Sequence, residues 1–152
     1  MKLKTKDIGF VVIQFCLFII YLFDSDFLNF DVLHFIRIIG ISIAILGGFL
    51  ILIATIQLNT NLSPFPSPKS GANLIQNGVY RYIRHPIYTA ILLITFGYGI
   101  YIGSLFKILV TIVLYVLFYF KSVYEEERLV KMFLQYTSYK KRTGRFLPKW
   151  LN

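Results

Sequence analysis

Apolar residues run along this chain in four long blocks, and none of them carries a polar face at helical spacing. The blocks cover about residues 8–23, 32–58, 86–103 and 105–120. A helix needs roughly 20 apolar residues to cross the hydrocarbon core, within a range of about 17 to 25. The second block is long enough to tilt, and the first and third draw on flanking aromatics. A helix of a soluble bundle would pair each apolar stripe with a polar one. The pattern predicts an all-α integral membrane fold of about four transmembrane helices. The polar remainder forms two segments, 59–88 and 121–149, the second ending in a short amphipathic tail. Residues 1–152 are expected to form a single membrane domain.

Charge orients these spans. Lys2, Lys4 and Lys6 precede the first, while the first loop carries Asp24, Asp26 and Asp31 and no Lys or Arg. The middle segment carries Lys69, Arg81 and Arg84, the loop from Gly99 to Ser104 is uncharged, and the tail is rich in Lys and Arg. Positive segments stay in the cytoplasm. Four spans with both termini cytoplasmic satisfy every loop, which suits a bacterial inner membrane.

Two further patterns bear on packing. Gly40, Ala44 and Gly48 recur at four-residue spacing with Gly47 alongside, and small residues at that spacing let helices approach closely. Packing within the chain is expected rather than a dimer contact. Arg37, near the start of the second span, is expected to snorkel outward, and His34 lies at the interface without a role. Pro64, Pro66 and Pro68 alternate between spans two and three. Such a stretch is extended and stiff. It is either a linker or a cover over whatever the next segment binds.

Composition agrees: 57% of the residues are hydrophobic and 15% charged, outside the ordinary range of a soluble domain. The net charge of +9 is explained by cytoplasmic loops and anionic headgroups, with no need of nucleic acid. The start MKLKTKD resembles a signal peptide, but YLFDSDFLNFD offers no small-x-small cleavage site, so the first block is read as an uncleaved span. One cysteine, Cys16, excludes an internal disulfide framework. Two histidines without an HExxH or CxxC pattern give no metal site. There is no Walker or Rossmann glycine pattern and no arguable Ser-His-Asp set.

Two clusters carry candidate chemistry. In GVYRYIRHPIY, Pro86 suits the first turn of a helix, where its missing N–H costs nothing. Arg84 and His85 then precede a helix start that favours an anion, a carboxylate or a phosphate; the alternative is a headgroup anchor. In KSVYEEERLVKMF, a helix continuing past Phe120 puts Lys121, Glu125, Arg128 and Met132 on one side. Alone, such a run is a salt-bridged surface. Acids just where a span leaves the membrane work against anionic lipid and suit a cationic ligand group.

Together these clusters resemble the isoprenylcysteine carboxyl methyltransferase family and its bacterial membrane relatives, which are related to phospholipid methyltransferases. The shared features are Gly78, Tyr80, Arg84, His85, Pro86 and Tyr88; then Glu125 and Glu126; then Tyr136 and Tyr139; then Arg145, Phe146 and Pro148. The match covers about residues 58–149. Val79 stands where many members have proline, Ala90 where glycine is frequent, and Gly144 where proline is common; FLQY is one residue short of the usual spacing. The resemblance implies S-adenosylmethionine as cofactor, with Leu74, Ile75, Tyr80, His85, Pro86, Ile87, Tyr88, Glu125 and Glu126 around it. His85 and the helix start would hold its carboxylate, and Glu125, with Glu126 nearby, its ammonium. It further implies Arg84 and His85 as the catalytic residues and Lys121 facing the substrate.

The acceptor expected from this placement is a lipophilic carboxylate, thiol, phenol or amine entering from the bilayer, with membrane lipids as the other partners. A carboxylate acceptor needs no general base; the others do, and His85 or a tyrosine is the candidate. A non-enzymatic four-span carrier or scaffold anchored by basic residues is the competing class. It would place a coupling acid or base in the first spans, where only Arg37 and His34 occur, near a span end. A lipid reductase would need a nicotinamide site that no motif supplies.

Overall fold

A computed structural model describes residues 5–23, 28–61, 63–67, 71 and 73–149. Lys2, Lys4, Asp24, Asp26, Pro68 and Lys69 of the patterns above lie outside the described residues. Five α-helices follow in order: α1 (Thr5–Leu22), α2 (His34–Leu58), α3 (Pro86–Ile102), α4 (Leu105–Met132) and α5 (Tyr136–Arg142). Among the described residues there are no strands, only isolated bridges such as Ile83 with Gly144. The expected all-α membrane architecture is the one observed.

α1, α2 and α4 are long and apolar enough to cross a membrane, and α3 is a shorter apolar helix of 17 residues, at the lower end of the crossing length of about 17 to 25. α1 is built inside out: its buried residues are Asp7 and Gln14, while Phe15, Ile19 and Leu22 are exposed. Lipid is the solvent that such a surface requires.

The helix of the fourth span runs on past Phe120, the continuation that places Lys121 and Glu125 on one side. α4 is one helix of 28 residues, about 42 Å long. It outruns a hydrocarbon core of about 30 Å. Lys121 to Met132 contains no Gly or Pro and is rich in Glu, Lys and Arg, so nothing interrupts it. Its last turns carry charge out of the apolar layer.

α2 and α3 pack through a seam of small residues. A Cβ added to Gly97 would lie 2.5 Å from the carbonyl oxygen of Gly40, and one on Gly47 would lie 2.8 Å from that of Ala90. The seam is therefore Gly40, Ala44 and Gly47 against Gly97 and Ala90, and packing is within the chain. Gly48 is not part of it, since nothing lies within 4 Å of the space its Cβ would fill. A step of seven residues returns nearly two full turns, which aligns Gly40 with Gly47.

Polar side chains lock the end away from the motif segments. Lys107 of α4 is buried and donates to the carbonyls of Tyr21 (2.7 Å) and Phe23 (3.1 Å) at the end of α1, where a helix presents unpaired carbonyls. Arg37, expected to snorkel outward, instead donates to Val32 and Tyr101 carbonyls, each at 3.2 Å. Gly103, at φ 76°, closes α3 in the left-handed region, and Ser104 caps α4 by accepting from the Lys107 N–H.

The seam makes a specific forecast. Gly97→Val should destabilise the bundle by roughly 1–3 kcal/mol or more through overpacking. Gly48→Ala should be neutral or stabilising by up to about 1 kcal/mol. Thermal unfolding in detergent reads both; equal effects would reject the seam as described.

Candidate active site

The ends of all four spans that lie opposite Lys107 converge on the two motif segments. Gly78 takes φ +56°, opening a short 3-10 turn, Gly78–Arg81. The Val79 N–H donates to Gln57 Oε1 of α2 at 2.9 Å. Tyr80 is buried and donates to the Ala54 carbonyl at 3.3 Å. Pro86 opens α3 at the position predicted for it, with His85 as N-cap.

The tail completes this segment from the other side. The Arg84 and His85 N–H groups donate to the carbonyls of Gly144 (2.9 Å) and Arg145 (3.1 Å), and the Gly144 N–H returns to Tyr82 at 3.1 Å. A proline at residue 144 would lose that last bond. These two N–H groups are thus engaged by the tail, ahead of the first turn of α3 at Pro86. Tyr139 donates to the Tyr80 carbonyl at 2.6 Å, and Thr89 to that of Phe146 at 2.8 Å. α5 is amphipathic, with Tyr136 and Tyr139 buried and Lys140 to Arg142 exposed.

At the centre lies Glu126, 1% exposed. Its Oε1 accepts from Arg84 Nε at 2.9 Å and Arg145 Nε at 3.2 Å, and its Oε2 from Arg145 Nη2 at 3.1 Å. Lys140 Nζ lies 2.9 Å from Oε2, and His85 Nε2 3.2 Å from Oε1. Arg84 Nη1 also binds the carbonyls of Lys140, at 3.1 Å, and Thr143. One carboxylate thus joins α3, α4, α5 and the tail.

Glu125, the preceding residue, does something different. Its side chain is 26% exposed. Tyr88 donates to its Oε2 at 2.9 Å, and His85 Nδ1 lies 3.7 Å from the same atom. The imidazole stacks on Tyr88, with ring centres 5.4 Å apart, and Tyr88 on Phe118 at 4.7 Å.

Two chambers meet at this carboxylate. One, of about 110 Å³, is lined by Leu74, Ile75, Tyr80, Arg84, His85, Glu125 and Tyr136, under Ser63, Phe65 and Ser67 of the proline-rich stretch. The other, of about 300 Å³, is lined by Gln14, Tyr80, Arg84, His85, Pro86, Ile87, Tyr88, Ile91, Lys121 and Glu125. The sequence-predicted residues therefore gather on the walls of two adjoining cavities that share Tyr80, Arg84, His85 and Glu125, except Glu126, which lines neither. The proline-rich stretch is a cover, not a free linker: Ser67 donates to Asp7 at 2.6 Å, and Lys121 Nζ to the Pro64 carbonyl at 2.9 Å. Lys121, 1% exposed, also donates to Gln14 at 2.6 Å and sits 5.3 Å from the Tyr88 ring centre. It faces inward, away from headgroups.

Two participants were given no role by the sequence reading. Gln14 is a polar residue inside an apolar span, a signal in its own right. Tyr136 is 1% exposed, lines the smaller chamber, and has no hydrogen-bond partner for its hydroxyl among the described residues. A buried hydroxyl without a partner costs about 1–3 kcal/mol. Burial pushes the phenols of Tyr136 and Tyr80 well above their usual range, and nearby Glu125 adds to both. Each remains an O–H donor.

Comparison with known proteins agrees with this architecture. The sequence model of the phospholipid methyltransferase family matches residues 35–136. A solved structure of a eukaryotic intramembrane Ras methyltransferase, isoprenylcysteine carboxyl methyltransferase, superposes with a TM-score of 0.71 at 22% identity. The match covers 98% of this chain and 55% of that one, so this chain spans about half the length of that structure. The likeness is one of fold. No curated protein matches the chain significantly.

The two neighbouring carboxylates should separate in a stability assay. Glu126→Gln strands buried guanidinium groups and should cost roughly 3–5 kcal/mol. Glu125→Gln loses only a neutral donor's partner and should cost about 1 kcal/mol. Unfolding of both variants in the same detergent would expose any error in this ranking.

Proposed function

Because the chain belongs to the phospholipid methyltransferase family, we propose that it is an integral membrane methyltransferase acting on a lipophilic acceptor with S-adenosylmethionine as donor. The observation that carries the reading is Glu125, a partly open carboxylate at the junction of two chambers. Adjoining cavities of this size suit a small charged ligand and a second reactant.

The residues present fit the cofactor's groups. Glu125 would pair the ammonium. The orphan hydroxyl of Tyr136 would donate to a carboxylate or ribose oxygen, and Leu74, Ile75 and Tyr80 would wall the adenine and ribose. Pro86, Ile87 and Tyr88 would close the side toward the second chamber. When bound, S-adenosylmethionine supplies an electrophilic methyl carbon on a sulfonium. The chain's task is then positioning in line and exclusion of water, which the proline-rich cover and the tail perform.

Arg84 and His85 are proposed as the catalytic residues. Glu126, 3.2 Å from Nε2, would hold the imidazole proton there and leave Nδ1 on the side of Glu125. That nitrogen can take a proton from an amine, thiol or phenol; a carboxylate needs no base. Arg84 lines both chambers and would stabilise an anionic acceptor end together with Lys121. The acceptor would enter the larger chamber from the bilayer, beside Ile87 and Ile91.

The same reading takes residues 1–152 as one membrane domain of a bacterial inner membrane. Both termini are cytoplasmic; cysteines placed at Asp31 and Lys149 should label from opposite sides.

Cofactor binding in detergent is the decisive measurement. Glu125→Gln should weaken S-adenosylmethionine by roughly tenfold to a hundredfold, since a charged hydrogen bond is worth about 1.5–3 kcal/mol. Tyr136→Phe should weaken it by about two- to tenfold without loss of ligand-free stability. Arg128→Ala is the control, since Arg128 is held on Tyr124 and lines neither chamber. Lys121→Met should depress use of a lipophilic acceptor while cofactor affinity holds. Undiminished cofactor binding by Glu125→Gln would remove the central assignment.

A further inference from the structure

A separate cavity of about 660 Å³ lies between α3, α4 and the tail, on the other side of Arg84 from the two chambers. Leu92, Phe96, Ile112 and Tyr115 line its length, and Arg84 and Arg145 stand at its polar end. Phe96, Ile112 and Tyr115 are exposed, so the groove opens sideways, toward hydrocarbon in a membrane. From Thr89 to Phe96 it follows α3 for about 10 Å.

The polar groups inside it are unequal. Thr89 spends its hydroxyl on the Phe146 carbonyl and Thr111 on that of Lys107. The cations outnumber the carboxylate they share. Arg84, Arg145 and Lys140 all converge on one anion, Glu126, while Glu125 turns toward Tyr88 and the chambers. Three permanent cations around one carboxylate leave an excess of two positive charges, and the rest of the tail (Lys141, Arg142, Lys149) adds no acid. Arg145 uses Nε and Nη2 on Glu126, and its Nη1 bonds to no described residue. Its guanidinium also lies 4.9 Å from the Tyr119 ring centre, at the groove wall.

We propose that this groove is a binding site for an anionic phospholipid of the surrounding bilayer, with an acyl chain along α3 and α4 and the phosphate on Arg145. An apolar channel that ends at guanidinium groups sharing a single carboxylate matches a molecule with an apolar chain and an anionic end. A free phosphate would satisfy only the end. Such a lipid would hold Arg145, Phe146 and Leu147 against the bundle, and with them the tail that completes the site at Arg84 and His85.

The test uses the full chain in detergent, titrated with phosphatidylglycerol, phosphatidylcholine or inorganic phosphate, and needs no methyl transfer. Phosphatidylglycerol at saturation should raise Tm by roughly 5–10 °C. It should be retained over phosphatidylcholine by a factor on the order of ten or more in native mass spectrometry. Arg145→Gln should abolish that preference. Leu93→Trp, or Ile112→Trp at the exposed mouth, should fill the groove and remove the lipid response without touching the Glu126 cluster. The proposal is overturned by an equal response to both lipids, by an unchanged phosphatidylglycerol response in both tryptophan variants, or by inorganic phosphate reproducing the full shift.

Discussion

Burying a carboxylate is expensive, and it holds only when every lone pair is met and opposite charge is close. Glu126 meets that condition through side chains drawn from three places: Arg84 and His85 before α3, Lys140 on α5, and Arg145 in the tail. None of these groups is near it in sequence. The interaction therefore acts as a long-range clasp, folding the tail back over the start of α3. The backbone exchange between residues 82–85 and 144–145, the seating of Tyr139 on Tyr80 and the placement of the imidazole all follow from it.

The neighbouring Glu125 can serve a different purpose because of helical geometry. Successive residues on a helix point about 100° apart. An adjacent pair of acids therefore leaves the helix in different directions. One side chain turns into the clasp and the other toward the chambers, where Tyr88 and His85 meet it. His85 touches both carboxylates, one through each ring nitrogen. The carboxylate buried in the clasp and the one open to the chambers are in this way neighbours in sequence, linked through one ring.

Lipid supplies no hydrophobic force between helices, so the spans need other reasons to stay together. Among the described residues these include the small-residue seam between α2 and α3, the cap that Lys107 places on the end of α1, and the contacts of Asp7, Gln14 and Lys121 beneath the proline-rich cover. The polar contacts sit at the two ends of the bundle, and the seam fills the apolar middle. Polar groups near the interface cost less than at the centre, and close backbone packing works where no water competes.

The sequence by itself determined the fold class, the number of apolar blocks and the segments that carry chemistry, because lipid imposes length and composition directly on the chain. It also determined the start of α3, since Pro86 leaves little choice. It could not say where the fourth span ends, because helix propensity carries α4 through its charged turns without a mark at the membrane boundary. Nor could it tell Glu125 from Glu126, or Gly47 from Gly48, since each pair is alike in chemistry and differs only in the direction a helix turns it. The lone hydroxyl of Tyr136 and the inward reach of Lys121 are products of long-range packing. Which carboxylate is buried in the clasp and which opens on the chambers was decided by the tertiary structure, because that choice depends on what the rest of the chain brings to each side of α4.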